Sequence, residues 1–153
     1  MPPRPSEPDY SRPQCINLQM LRASHYILKT YDEAYRPYGI RATQMPVLGV
    51  VARWAPVTIK QVADEMESER SVISRKLQVM EKNGWICEDP QTTGKEKAFI
   101  LTSTGKKMIK IILPVKQKVQ NRILKSLTDN EQLLLMSLCN KLKSGTTANI
   151  ECY

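Results

Sequence analysis

The chain has 153 residues, with 23 Lys and Arg against 15 Asp and Glu and a formal net charge of +8; that is about one domain, and its charge suits a polyanionic partner, whether nucleic acid, an acidic membrane surface or an acidic protein. No apolar run approaches the roughly 20 residues that span a bilayer, and MPPRPSEPDYSRP lacks the apolar centre of a signal peptide, so a soluble cytoplasmic protein with no membrane partner is expected. The cysteines Cys15, Cys87, Cys139 and Cys152 are widely spaced and form no CxxC pair, which argues against a zinc site or a disulfide-stapled scaffold.

Five of the ten prolines precede Gln14, so residues 1–14 are expected to be a flexible Pro-rich tail. From Ile16 to Arg36 the apolar residues Leu18, Leu21, Ile27, Leu28 and Tyr31 recur at steps of three and four, predicting a long helix that ends at Pro37 to Gly39. ATQMPVLGVVARW predicts a second helix, with Pro46 tolerable in or near its first turn. Val47, Leu48, Val50, Val51 and Trp54 are its core candidates. Ala55 to Val57 is a short extended link.

Thr58 stands three residues before Gln61, the pattern of a capping box, and predicts a helix beginning at Ile59. Its apolar residues Ile59, Val62, Ala63 and Met66 leave Lys60, Gln61, Asp64 and Glu65 outside. Ser68 is the next N-cap candidate, with Glu69 near the positive end of the following helix dipole. That helix is expected to stop at Gly84. At about 100° per residue, Val72, Ile73, Leu77, Val79 and Met80 share one sector, and Arg70, Ser71, Ser74, Arg75, Gln78 and Lys82 face the other way. Lys76 points into the apolar sector and must run its stem along it.

A polar helix face is by default merely solvated. Here the next segment adds weight. Trp85 to Glu88 and Ala98 to Thr102 are strand-like runs around PQTTGKEK, where Gly94 can take a positive φ at the tip. Lys95 and Lys97 would project from that tip toward phosphate or a minor groove. A helix-turn-helix followed by a two-stranded wing is a DNA-reading shape. On that reading Arg70, Ser71, Ser74, Arg75 and Gln78 enter the major groove, where Arg suits guanine or phosphate, Gln suits adenine and Ser suits either. Lys60, Lys95 and Lys97 hold phosphate or the flanking minor groove.

Beyond the wing, residues 103–126 contain Lys106, Lys107, Lys110, Lys116, Lys118, Arg122 and Lys125 and no acidic residue. Met108, Ile111, Ile112, Val115, Val119 and Ile123 run an apolar stripe through this helix, and Pro114 is expected to kink it. Thr128 with Glu131 is a second capping box. It opens a last helix carrying Leu133, Leu134, Leu135, Met136, Leu138, Cys139 and Leu142, followed by a flexible tail over residues 145–153. The outer helices hold more apolar surface than one small lobe can cover, which predicts a partner subunit.

VTIKQVADEM, ERSVISRKLQVMEKNGWI, FILTSTGKKM and SLTDNEQLLLMSLCNKL, in that order and spacing, resemble the MarR family of winged-helix regulators from about Asn17 to Lys143. The resemblance implies a mainly α fold with a small β-wing: dimerisation helices at 15–38 and 103–144 and a winged helix-turn-helix at 42–102, all in a single domain over 15–144. It also implies a homodimer on a near-palindromic double-stranded DNA site, acting as a repressor released by a small-molecule, often phenolic, effector. Glu67 stands where the family usually has glycine in the turn. Where the family's wing has Asp, one residue, then Arg, this chain has Thr93 and Lys95, so Lys95 and Lys97 both compete for the arginine's place; lysine lacks the planar fork.

Other readings remain open at the sequence level. Peroxide-sensing members of the resembled family carry a thiol near the start of the first helix, held by tyrosines. Cys15 is the redox candidate here, with Tyr26, Tyr31, Tyr35 and Tyr38 on offer. Alignment through Gln44 puts Asn17 in the sensing place, about 200° away round the helix. Cys139 reads as core, and nothing near Cys87 or Cys152 predicts a reactive thiol. A winged-helix module whose long basic helix binds an acidic protein, or a nonspecific chromosome coat, would also fit the charge. His25 is the single histidine; no nucleophile–base pair, phosphate loop or metal spacing accompanies it, so neither an enzyme nor a cofactor or metal site is expected.

Overall fold

The computed structural model describes residues 15–93 and 96–146. The expected tail over 1–14, residues 147–153 with Cys152, and Gly94 and Lys95 at the wing tip lie outside the described residues.

Helix α1 (Ile16–Tyr35) runs into one 3-10 turn at Arg36–Tyr38, and Gly39 reverses the chain at φ 68°. The loop to α2 (Met45–Trp54) is pinned by two side chains: Asp32 Oδ1 accepts from the Ala42 amide at 2.7 Å, and buried Gln44 accepts from the Arg41 amide at 2.8 Å. Pro46 falls in the first turn of α2, where its missing N–H has no partner to lose. Strand β1 (Val57–Thr58) leads directly into α3 (Ile59–Glu65). The predicted capping box is present: Thr58 Oγ1 accepts from the Gln61 amide at 3.3 Å while Gln61 Oε1 accepts from the Thr58 amide at 2.8 Å.

After α4 (Arg70–Lys82) come β2 (Ile86–Glu88) and β3 (Ala98–Leu101). The antiparallel sheet has the order β1-β3-β2, with Val57 opposite Phe99 and Ile86 opposite Leu101. The extended link before α3 is thus the third strand. Helix α5 (Ser103–Leu124) continues past Pro114 and ends two residues before the expected Ser126. Helix α6 (Asp129–Thr146) starts at the expected Thr128–Glu131 box, with amide–side-chain bonds of 2.7 and 3.4 Å, and enters the segment expected as tail.

One core joins the parts. Val47, Leu48 and Val51 from α2, Val62 from α3, Ile73, Leu77 and Met80 from α4, Ile86 from β2 and Ile112 from α5 are all essentially sealed from solvent. Four core expectations need correction. Trp54 is 58% exposed: it is the last residue of α2 and borders an open groove with Val57 and Gln61. Val50 is only partly buried, Ile111 is exposed, and Cys139 is half-buried. No helix among the described residues is long and apolar enough to cross a membrane, and no cluster of His, Cys, Asp or Glu among them could hold a metal.

Candidate nucleic-acid interface

The turn between α3 and α4 sets the direction of α4, the candidate reading helix. Met66 closes α3, and Glu67 follows in the left-handed region at φ 47°. The Glu67 amide bonds to Asp64 O at 3.2 Å and the Ser68 amide to Ala63 O at 3.0 Å, so two of the carbonyls left open by the helix end are satisfied. This pattern uses the Ser68 backbone to finish α3. The N-cap of α4 is therefore Glu69, not Ser68, and Glu69 makes no side-chain cap bond. Its carbonyl accepts from Val72 and Ile73 instead.

On α4, Ile73, Leu77 and Met80 point into the core, while Arg70, Ser71, Arg75, Gln78 and Lys82 are exposed. Two residues sit otherwise than expected. Val79, assigned to the packed sector, is 45% exposed because it lies about 120° round from Ile73, at the stripe's edge. Ser74, assigned to the outward face, is half-buried. Lys76 is half-buried too, as its position beside the apolar stripe requires. Arg75 Nε donates to Ser71 O at 3.2 Å, one turn back, which lays the guanidinium along the helix and leaves its terminal amino groups as the fork. Lys60 is exposed on the first turn of α3.

The far end of α4 is locked to the wing and to α5. Gly84 takes φ 69°, its amide bonds to Glu81 O at 2.8 Å, and the Trp85 amide bonds to Met80 O at 2.9 Å. The Thr102 hydroxyl donates to Gly84 O at 2.6 Å and accepts from the Gly105 amide at 3.0 Å. One threonine thus ties the end of α4, the returning wing strand and the start of α5. In the wing, Asp89 organises the turn by accepting from the Gln91 amide and the Thr92 hydroxyl. Lys97 is exposed and ion-paired with Glu88 of the opposite strand, a partner that the strand pattern alone did not suggest.

Cys15 occupies the N-cap of α1 and is exposed. Tyr31 and Tyr35 pack on one another, ring centroids 5.5 Å apart, but the rise of the helix places them about 24 and 30 Å along its axis from Cys15. Tyr26 is well exposed and Tyr38 less so, and neither joins that ring pair. Within one chain the thiol and the packed tyrosines are not brought together. The tyrosines instead line a groove of about 680 Å³ between α1, α2 and α5, with Met45, Val50 and Met66 and the charged Arg53, Glu65 and Lys116. Burial pushes the Tyr35 hydroxyl up to about 12, helped by Tyr31, and burial also raises Tyr31.

The sequence profile of the MarR family matches residues 38–92, from the 3-10 turn through α4 and β2 into the wing. Over those residues the chain is similar to the MarR family. Among its relatives, the HTH-type transcriptional regulator YwoH of Bacillus subtilis is 24% identical over 114 residues, covering 74% of this chain and 83% of that protein. An HTH-type regulator of Bacillus cereus is 25% identical over 128 residues, covering 83% and 86%. Among solved structures, Staphylococcus aureus MepR in complex with DNA superposes with a TM-score of 0.77 at 18% identity, covering 87% of this chain and 99% of that one. Mycobacterium tuberculosis MosR in complex with DNA gives 0.76 at 23% identity, covering 90% and 100%. These likenesses establish the winged-helix fold of this chain.

Proposed function

We propose that the protein is a homodimeric repressor that reads a near-palindromic DNA site through α4 and leaves it when a small aromatic molecule binds. The outward Arg70, Ser71, Arg75 and Gln78 on a helix whose opposite stripe is sealed in the core carry this reading. Buried on one side, α4 is rigid; polar and cationic on the other, it has the groups that suit a major groove. Arg70, Ser71, Arg75 and Gln78 are the proposed base-edge contacts, with half-buried Ser74 contributing at the margin. Lys60 is the proposed phosphate contact on α3, and Lys95 with Lys97, the latter in competition with its Glu88 partner, those of the wing. A two-fold dimer would set the two α4 helices about one helical turn of DNA apart, hence the inverted repeat.

The groove beside Tyr31 and Tyr35 is the proposed effector site. Its volume lies in the small-molecule range, its wall is apolar and aromatic, and Arg53 and Lys116 suit a carboxylate or phenolate on the ligand. Because α2 and α5 both border it, a ligand there would act by preferring one spacing of winged lobe and outer helices over another. The presence of DNA in the solved complexes of MepR and MosR, which share the fold, supports the DNA reading.

Selection of bound fragments from a random duplex pool tests this directly. A two-fold consensus is expected. Arg75→Ala should then weaken binding to the selected duplex by about 1 to 3 kcal/mol and relax preference at one position in each half. A selection that returns no consensus, or an Arg75→Ala protein with unchanged affinity and preference, would remove α4 as the reader.

A further inference from the structure

The wing is a poor phosphate ligand on its charge. Between Ile86 and Leu101 stand Glu88, Asp89 and Glu96 against Lys95 and Lys97, so the element expected to grip a polyanion is itself net acidic. Register accounts for what becomes of Lys97. Glu88 is opposite Phe99, which makes Lys97, two residues away on the same strand, its diagonal neighbour on the same side of the sheet. Phe99 and Ile86 on that side are buried, but the strands run out past the core, so Glu88 and Lys97 both reach solvent. There the ammonium donates to Glu88 Oε1. Glu81 on α4 adds to the negative field around the same ammonium, whose pKa is raised chiefly by the Glu88 hydrogen bond. Asp89 is engaged with the turn, which leaves Glu88 as the carboxylate on Lys97.

We propose that Glu88 is an electrostatic restraint on the wing: it neutralises Lys97 and holds back one phosphate contact per subunit, setting how tightly the protein binds any duplex. The inference rests on the DNA reading above and extends it to a residue outside the reading helix. A phosphate approaching Lys97 must displace Glu88 or share the ammonium with it, and the displaced carboxylate then faces a polyanion. Neither cost depends on base sequence. Glu88 therefore governs overall affinity and salt dependence, while α4 governs preference.

Glu88→Gln keeps the shape of the side chain and removes its charge. Binding of a random-sequence duplex and of the selected duplex would be followed by fluorescence anisotropy between 50 and 200 mM salt. The variant should bind both duplexes more tightly, by roughly two- to fivefold per wing at low salt. The slope of log K against log salt should steepen by about 0.9 per wing, as for one added phosphate contact. The ratio between the two duplexes should stay put. In a Lys97→Met background the same Glu88→Gln change should do neither. Weaker binding by Glu88→Gln, an unchanged slope, or a gain that survives Lys97→Met would each overturn the restraint. A wild-type protein that binds no duplex would overturn the DNA reading along with it; wild-type binding with an unaltered Glu88→Gln slope overturns the restraint alone.

Discussion

The two consecutive helices of the helix-turn-helix end in the same hydrogen-bond pattern, and one of them does so without glycine. At the end of α4 the left-handed residue is Gly84; at the end of α3 it is Glu67, at φ 47°. A β-carbon in that region costs on the order of 1 to 2 kcal/mol, against about 0.5 to 1 kcal/mol of extra chain entropy that glycine brings to the unfolded state. Glu67 recovers something through Lys143 of α6, 2.7 Å from its carboxylate, but both side chains are more than half exposed, and such pairs contribute at most about 1 kcal/mol. Glu67→Gln separates the two effects, because it keeps the backbone cost and removes the ion pair. Glu67→Gly should be more stable than Glu67→Gln by about 1 kcal/mol in denaturant unfolding. If the glycine variant melts at or below the glutamine variant, the turn is not strained.

At the scale of elements, the contact that sets α5 against the reading unit is backbone on backbone. A β-carbon on Gly105 would stand 1.9 Å from Trp85 O, the carbonyl that also accepts from the Thr102 amide at 3.1 Å. Gly105→Ala must push α5 away from β2 and loosen the Thr102 bonds, so it should cost at least about 2 kcal/mol of unfolding free energy. A midpoint within experimental error of wild type would mean that the junction yields easily. What could be read from sequence follows from which signals are local. The Thr58–Gln61 and Thr128–Glu131 boxes, Gly84, and the spacing of Ile73, Leu77 and Met80 depend on residues within one or two turns, and they placed α3, α4, the wing and α6. The misplacements depend on context. Ser68 lost the N-cap because the chain-reversal pattern of α3 claimed its backbone; Trp54 and Val79 lie where the core runs out. Among the site residues, the outward side of α4 was legible apart from Ser74. The Glu88–Lys97 pair was not, because it needs the strand register, and the groove at Tyr31 and Tyr35 needs three helices brought together.

For the whole molecule, the distribution of apolar and charged surface argues for a second copy and for which faces meet. Among the described side chains of α6 none is buried, and Leu133, Leu134, Met136 and Leu142 are each more than half exposed. On α1, Ile16, Leu18, Met20 and Leu21 are exposed as well. Such a surface left wet would be costly at about 25 cal/mol per Å². Meanwhile residues 103–125 carry seven Lys and Arg and no acid, so nearly all of the net charge of +8 sits on α5. Two such helices cannot press their basic faces together without repulsion, so the seam of the proposed dimer is assigned to α1 and α6. The expected association therefore responds to salt in the opposite sense from DNA binding. Screening should relieve the repulsion between α5 helices and tighten the proposed dimer, while counterion competition should weaken the proposed complex with duplex. Sedimentation equilibrium between 50 and 500 mM salt should show the monomer fraction falling, and Leu134→Glu should produce a folded monomer whose duplex affinity drops by at least tenfold. A dimer that weakens with salt, or one that survives Leu134→Glu unchanged, would place the seam elsewhere.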